Sequence, residues 1–282
     1  MKVIIYLLLI INTLIATQKE TITWLVNDAP PFYILNGSLK DGGIGDMTQK
    51  LIINDLKQYN HEIKKTTLKR AMKDFKYNKK VCFSTWIYNS TPDLVITSNP
   101  NIYYPPLGII TTSKNKKLLK EKVLSLDKLL QNKKFVFGKA KGRGYGEPLD
   151  SIVNKYKNQK NFKIRNSSTH STKGIFEMIK RERIDYTIDY YSSLVYSQLG
   201  KINRGDKLVF IPILETKNEG VLGSIACSKT PWGEKVISDI NISIDKIKYK
   251  NQYMQILNEW LVPIDDKGAY WEKYERKIKN FK

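Results

Sequence analysis

The sequence predicts an α/β fold with two lobes, each built on its own β-sheet. Short apolar strands alternate with amphipathic helices from about residue 20 to 110, and the same order repeats from 111 to 221. A last block, 222–282, opens with a strand and is otherwise helical. Since this block has no sheet of its own, we expect it to pack back on the first unit, so that two strands cross between the lobes.

The first unit opens with residues 22–33, ITWLVNDAPPFY, a short apolar strand that breaks into a polar and aromatic turn. Two consecutive prolines remove backbone donors and end the strand. Asp28, Phe32 and Tyr33 therefore lie on a rigid loop at the carboxyl end of a strand, where ligands bind in open α/β sheets. The competing interpretation is that Phe32 and Tyr33 fold back on the core.

Hydrophobic spacing predicts the remaining elements of the first unit. Apolar residues three or four positions apart indicate helices, and short runs rich in β-branched and aromatic residues indicate strands. These elements are a helix over 44–56, a strand near 62–66, a helix over 68–75, and strands over 81–84, 94–100 and 107–112.

The second unit begins where Ser125 can cap a helix. Its strands are expected over 134–138, 162–165, 184–189 and 208–213, and its helices over 126–130, 149–156, 175–179 and 194–199, with the glycine-rich turn KGRGYGE at 141–147. In the last block a strand over 221–228 precedes Thr230 and Pro231, a good N-cap and first helical residue. Helices are then expected over 231–247, 251–261 and 269–281.

The N-terminus has the features of a secretory signal. Lys2 precedes an apolar segment over 3–16, which is rather short for a transmembrane span, and Ala16 offers a small residue for cleavage. We interpret residues 1–17 as a signal peptide; the alternative is an uncleaved anchor. No other stretch approaches membrane length, so the mature protein is expected to be soluble in the periplasm or secreted.

The chain is strongly basic, with 48 Lys and Arg against 27 Asp and Glu and a net charge of +21. Such a charge is compatible with nucleic acid, an anionic envelope surface or an acidic ligand. The lysines are spread along the whole chain, which favours a compositional bias, and the densest runs, at 114–122 and 273–280, are typical of solvated helix faces.

Two cysteines, Cys82 and Cys227, suit an oxidising compartment. A bridge between them would close a long loop and add about 4 kcal/mol of stability; the alternative is two buried free thiols. The sequence has no histidine pair for zinc and no nucleophile-elbow serine motif. We therefore expect no metal, no cofactor and no enzyme activity.

The order of these segments resembles the family 3 extracellular solute-binding proteins, the periplasmic components associated with ABC transport of amino acids and small polar solutes. The resemblance covers nearly all of the mature chain and rests on the order of several marks: NDAPPFY, GIGDMTQKLI, RAM, the TPD and SNP segments, RIDYTID and ACSKTPWGEKVISDIN.

The resemblance implies a type 2 periplasmic-binding fold with two crossing hinge strands, a ligand between the lobes and closure on binding. One lobe would comprise residues 18–110 plus 222–282 and the other residues 111–221. It also makes the strands of Cys82 and Cys227 neighbours, which favours the disulfide.

Departures from the family pattern bear on the ligand. Amino-acid binders place an arginine after a T-x-E-R-like segment, but here the segment reads STPDL, with Thr91, and no arginine occurs between Arg70 and Arg143. The family also places an aspartate five residues beyond the position of Asp185, which here is Tyr190. Asp189 comes one place early, on the face of the strand opposite to Tyr190.

The expected cleft is therefore aromatic and basic, suited to a small polar ligand of anionic, planar or sugar-like character. Arg143 precedes a helix expected to begin around Glu147, whose N-terminus would assist an anion; the alternative is a solvated loop arginine. Trp86 and Tyr88 line the cleft or else cover the core edge. The candidate ligand-binding residues are Asp28, Phe32, Tyr33, Arg70, Trp86, Tyr88, Thr91, Arg143, Tyr145, Asp189 and Tyr190.

Three function classes follow. The first is a monomeric solute-binding protein that delivers a small molecule to an ABC permease and binds no nucleic acid. The second is a receptor domain of the same fold that reports ligand to a membrane partner. The third is a cationic envelope-binding protein, which predicts salt-dependent binding to polyanions. An enzyme is disfavoured because no paired acid groups or activated nucleophile is evident.

Overall fold

The structure is a computed structural model that describes residues 19–141, 143–166, 171–199, 207–262 and 267–281. The predicted signal peptide, residues 1–17, lies outside these ranges. Within them, no helix combines the length and apolar character needed to cross a membrane.

The first sheet is mixed and has the strand order β2-β1-β3-β11-β4, with β5 also paired to β11. β1 is parallel to β2 and β3, whereas β11 runs antiparallel to β3, β4 and β5. The strands are β1 Thr21–Val26, β2 Asn60–Lys65, β3 Val81–Ile87, β4 Val95–Thr97, β5 Ile102–Tyr104 and β11 Val221–Ser228.

The second sheet has the order β10-β6-β9-β7-β8. β7 is parallel to β8 and β9, and β6 is antiparallel to β9 and β10. The strands are β6 Gly108–Thr112, β7 Phe137–Ala140, β8 Phe162–Arg165, β9 Tyr186–Asp189 and β10 Leu208–Pro212. The carboxyl ends of β7 and β9 therefore meet at one edge of this sheet.

Ten α-helices accompany these strands in the described ranges, and four of them begin after a residue whose side chain caps the helix. Thr67, Ser125 and Thr230 each accept a backbone N–H of the first turn. The helices are α1 Ile44–Asp55, α2 Leu68–Lys76, α3 Ser113–Leu119, α4 Leu126–Gln131, α5 Leu149–Lys155, α6 Ser171–Lys180, α7 Tyr191–Gln198, α8 Pro231–Ile247, α9 Asn251–Trp260 and α10 Lys267–Tyr274, followed by a π-helical turn, Glu275–Lys279.

The chain passes between the two sheets twice, through residues 105–107 and 213–220. One difference from the sequence analysis concerns Gly108–Thr112, which was grouped with the first unit. This segment is β6 of the second sheet, because it pairs with β9 and β10 along its whole length. A second difference is β5, a three-residue strand that the sequence analysis did not predict.

The last block packs on the first lobe, as expected. Its long helix α8 buries an apolar stripe with Val236, Ile240 and Ile244 against the same core as Ile22 and Trp24 of β1. The burial of such apolar side chains is the main contribution to the stability of the lobe. The predicted disulfide is confirmed: Cys82 of β3 and Cys227 of β11 are direct cross-strand partners and are bonded.

Candidate functional site

The loop after β1 is fixed to the start of α1 by backbone hydrogen bonds. The amide of Ile44 donates to the Pro31 carbonyl at 3.0 Å, and that of Gly45 donates to the Phe32 carbonyl at 2.7 Å. A Cβ atom at Gly43 would lie 2.4 Å from the Phe32 carbonyl oxygen, so this close approach requires glycine. Phe32 is thus held, half-buried, at the carboxyl end of β1.

Tyr33 points the opposite way and is fully buried in the core of the first lobe. Its hydroxyl donates to Gln49 Oε1 at 3.0 Å and also bonds the Ser84 hydroxyl. Burial raises the pKa of this phenol well above its usual value. The interpretation that Tyr33 folds back on the core therefore describes its position in this structure.

In the second lobe, Arg143 and Asp189 meet where β7 and β9 end. Arg143 Nη2 donates to Asp189 Oδ1 at 3.4 Å, and the same oxygen accepts from the Tyr190 amide at 2.8 Å. The expectation that Asp189 faces away from the candidate cluster is wrong. As the last residue of β9, it turns its carboxylate toward the start of α7, where Ser193 also donates to it.

Two tyrosines flank the Arg143 guanidinium. Its central carbon lies 5.9 Å from the ring centroids of both Tyr145 and Tyr190, within cation–π range. Burial is the main cause that raises the pKa of the Tyr190 phenol, and the Arg143 charge partly opposes it. Four of the predicted site residues, Arg143, Tyr145, Asp189 and Tyr190, are therefore brought into one cluster.

The helix after this loop does not offer its N-terminus to a ligand. It begins at Leu149, later than expected, and it is only 7 residues long. The amides of Tyr145 and Gly146 already donate to the Asp150 carboxylate, at 2.9–3.0 Å. Asp150, in the first turn of this helix, thus places a carboxylate at the helix start, which disfavours an anion there.

Tyr104, at the end of β5, is a site residue that the sequence analysis missed. Its ring packs edge-on against Phe32, with centroids 5.5 Å apart. The residue is 7% exposed, yet its hydroxyl is without a hydrogen-bond partner among the described residues. It borders a small pocket between the lobes, lined by Tyr104, Pro105, Tyr190, Tyr191, Ser192 and Leu261.

Tyr104 and Tyr190 therefore join the two halves of the site. Tyr104 packs on Phe32 of the first lobe, and Tyr190 packs on Arg143 of the second lobe. Both line the same pocket beside the first crossing segment. No signal in the sequence other than the neighbouring Pro105 marked Tyr104, because a strand of three residues is too short to show periodicity.

The other predicted residues lie apart from this cluster. Trp86 is buried in the core, edge-on to Phe75 and Phe83, and donates to Thr91 Oγ1 at 3.1 Å. The core-edge interpretation thus describes Trp86, because its ring packs on Phe75 of α2 and Phe83 of β3.

Three further candidates sit in exposed or half-buried surroundings. Asp28 is exposed, and Tyr88 packs edge-on against Phe281 of the C-terminal segment. Arg70 lies on α2 with a side chain that is 59% exposed and 3.5 Å from Asp74. None of these contacts links the three residues to Arg143 or Tyr190.

The chemistry of the cluster is that of recognition. Together with Tyr104, it presents aromatic faces, phenol hydroxyls, one guanidinium and one carboxylate, which are groups that fix the orientation of a small polar molecule. Within the described ranges, no group of three or more His, Cys, Asp or Glu side chains is placed to hold a metal ion.

No family profile and no curated protein matches the sequence. Solved structures match its fold. An ancestral arginine-binding protein bound to arginine has a TM-score of 0.57 at 19% identity, and the match covers 86% of this chain and 98% of that chain. The second substrate-binding domain of Lactococcus lactis GlnP, in an open conformation, has a TM-score of 0.60 at 16% identity, over 87% and 96% of the two chains.

A third similar structure is a probable amino-acid ABC transporter extracellular-binding protein from Bacillus subtilis. Its TM-score is 0.61 at 12% identity, and the match covers 86% of this chain and 99% of that chain. All three matches span both sheets, because no single lobe makes up that share of the chain. The chain has the two-lobed, type 2 α/β fold of the periplasmic solute-binding proteins.

Proposed function

We propose that this protein is a solute-binding protein of an ABC transport system, related to family 3, that acts outside the cytoplasm. It captures a small polar molecule between its lobes and presents it to a membrane permease, without catalysis. The signal-like residues 1–17 and the disulfide between Cys82 and Cys227 support an extracytoplasmic location.

The observation that carries this proposal is the meeting of side chains from both lobes beside the first crossing segment. Tyr104, which packs on Phe32 of the first lobe, and Tyr190, which packs on Arg143 of the second, line the same pocket. A ligand bound between the lobes would contact both tyrosines. Closure of the two lobes on such a ligand is the common motion of two-domain binding folds.

The solutes to test first follow from the similar structures, one of which is described as bound to arginine and another as bound to glutamine. The absence of arginine between Arg70 and Arg143 in this sequence argues against the carboxylate clamp that the resemblance implies. Amino acids therefore need to be compared with organic acids, nucleosides, sugars and short peptides.

Thermal unfolding of the chain from residue 18 onward, measured against this panel, tests the proposal. A ligand at a hundred times its dissociation constant should add about 2.7 kcal/mol to the free energy of unfolding. The Arg143→Ala variant should lose this stabilisation. Arg181→Ala, at an exposed position outside the cluster, is the matched control and should keep it.

The net charge of +21 defines the alternative function to test, which is binding to anionic polymers. If no small solute shifts the midpoint, and the protein instead binds anionic polymers with an affinity that falls steeply with salt, the transport proposal is wrong. The protein would then be a cationic envelope-binding protein.

A further inference from the structure

The guanidinium of Arg143 lies where β7 and β9 end, next to Tyr190, which lines the pocket between the lobes. Its side chain is 39% exposed, although two tyrosine rings and a carboxylate surround it. An arginine fork carries five N–H donors in one plane. Among the described residues, Nη2 of this guanidinium donates to Asp189, and a guanidinium has further N–H groups that can bind a ligand.

Two tyrosine rings and the Asp189 carboxylate restrict the orientation of the Arg143 guanidinium. Tyr145 is itself packed between two cations, with Lys139 Nζ 5.0 Å and the Arg143 guanidinium carbon 5.9 Å from its ring centroid. Tyr190 flanks the guanidinium at the same distance of 5.9 Å. A fork positioned before the ligand arrives loses little conformational entropy when it binds a carboxylate.

The Asp189 carboxylate already accepts hydrogen bonds from the protein's own groups. Its Oδ1 accepts from Arg143 at 3.4 Å, from the Tyr190 amide at 2.8 Å and from the Ser193 hydroxyl at 3.0 Å. The side chain is only 9% exposed. The positive charge of Arg143 at 3.4 Å would weaken the attraction of this carboxylate for a ligand ammonium.

Tyr104 supplies an independent observation that points to a ligand. Its hydroxyl is buried without a partner among the described residues, and an unpaired buried hydroxyl costs free energy. Tyr104 lines the same small pocket as Tyr190. A ligand oxygen that reaches the hydroxyl when a solute binds between the lobes would satisfy it.

We propose that the cleft selects solutes that carry a carboxylate and no positive charge, with Arg143 as the residue that binds the carboxylate and sets this specificity. The inference deepens the proposed function and rests on it. The specificity differs from that of the similar structures described as binding arginine or glutamine. Asp189 acts as a positioning residue that tethers the Arg143 fork.

The test measures binding by calorimetry with two matched sets of an acid, its amide and an amine. The first set is benzoate, benzamide and benzylamine, and the second is succinate, succinamide and 1,4-diaminobutane. Arginine and glutamine are measured beside them. The acid of at least one set should bind at least about tenfold more tightly than its amide and its amine, the scale of a charge-assisted hydrogen bond. Arg143→Gln should lose about tenfold or more of the affinity for that acid and leave its amide within about twofold.

Asp189→Asn tests whether Asp189 holds the Arg143 guanidinium in position or contacts the ligand directly. A tether predicts that binding of the acid is retained within about threefold, because the asparagine still accepts a hydrogen bond from the fork. Arg183→Gln, an exposed arginine elsewhere on this lobe, is the matched control and should change nothing. Arg143→Lys keeps the charge without the fork and should bind with intermediate affinity, which guards against a misfolded glutamine variant.

Two results would overturn the inference, and they are distinguishable. If arginine, glutamine or an amine binds most tightly and Asp189→Asn abolishes that binding, the proposed function stands but the anionic specificity is wrong. If no member of the probe sets or of the wider panel binds, the proposed function fails and the inference fails with it.

Discussion

Phe32 and Tyr104 contact each other edge to face, with ring centroids 5.5 Å apart, and so connect the loop after β1 to the strand that leads out of the first lobe. The loop reaches this position because the α1 amides bind its carbonyls. The contact places two aromatic rings of the first lobe beside the pocket that Tyr190 of the second lobe also lines.

Removal of the unpaired hydroxyl of Tyr104 should separate stability from binding. In Tyr104→Phe the free energy of unfolding without ligand should stay within about 1 kcal/mol or rise, because no hydrogen bond is lost. Affinity for the most stabilising solute of the panel should fall about fivefold to tenfold. Urea unfolding and calorimetry measure the two quantities.

Tyr253→Phe is the matched control for this change. The Tyr253 hydroxyl is also buried, but it donates to the Asn101 carbonyl at 2.6 Å. This variant should lose about 1–3 kcal/mol of stability and keep its affinity for the solute. Equal behaviour of the two variants would contradict a ligand role for Tyr104.

The disulfide should contribute a large part of the stability of the first lobe. Cys82 and Cys227 are 145 residues apart, and their bond joins the early part of the lobe to the returning strand. We expect Cys82→Ala with Cys227→Ala to lower the free energy of unfolding by about 2–5 kcal/mol. Urea unfolding with and without dithiothreitol measures it, and only the unsubstituted protein should respond to the reductant.

Asp74 should make the stability depend on acid pH. Burial would raise the pKa of this carboxyl, but the hydrogen bond from Lys79 at 2.8 Å, with the charges of Lys64 and Arg70, holds the pKa below its usual value. A lowered folded-state pKa stabilises the fold above about pH 4 and loses that contribution as the pH falls further.

Asp74→Asn should therefore flatten the acid limb of the stability curve and cost about 1–3 kcal/mol at neutral pH, an estimate reduced because the three cations are partly exposed. Asp41→Asn, which removes an exposed ion pair with Lys40, should change the stability by less than about 0.5 kcal/mol. An unchanged acid limb in Asp74→Asn would show that Asp74 does not carry this dependence.

Glu215 should stabilise the second lobe because its carboxylate caps the start of α4, which is distant from it in the sequence. Its carboxylate accepts from the Ser125 hydroxyl at 2.9 Å and from the Leu126 and Asp127 amides at 3.0 and 3.3 Å. Glu215→Ala should cost about 1–2 kcal/mol in urea unfolding, because these donors lose their partner. Glu182→Ala, in an exposed pair with Lys114, is the control; an equal loss there would contradict the assignment.

The alternation of strands and helices was sufficient to predict two lobes and the return of the last block to the first. It was not sufficient to assign Gly108–Thr112 to a sheet, because an apolar run shows that a segment is buried without showing which strands pair with it. The disulfide followed from the topology that the resemblance implied, since strand neighbours in a sheet bring distant cysteines together.

The site was harder to predict than the fold. Arg143 and Asp189 are 46 positions apart, and only the parallel pairing of β7 with β9 brings them together. Trp86 resembled a cleft residue because its neighbours are polar, but the packing of Phe75 and Phe83 decides its position. Side-chain direction at the end of a strand, as at Asp189, depends on the helix that follows.

Hydrogen exchange measured by mass spectrometry tests directly whether a ligand binds between the two lobes. With the most stabilising solute bound, we expect slower exchange in both lobes at once, at residues 28–33 and 102–107 of the first and residues 143–146 and 189–193 of the second. Protection confined to one lobe, or to a surface away from these segments, would show that the ligand does not bind between the lobes.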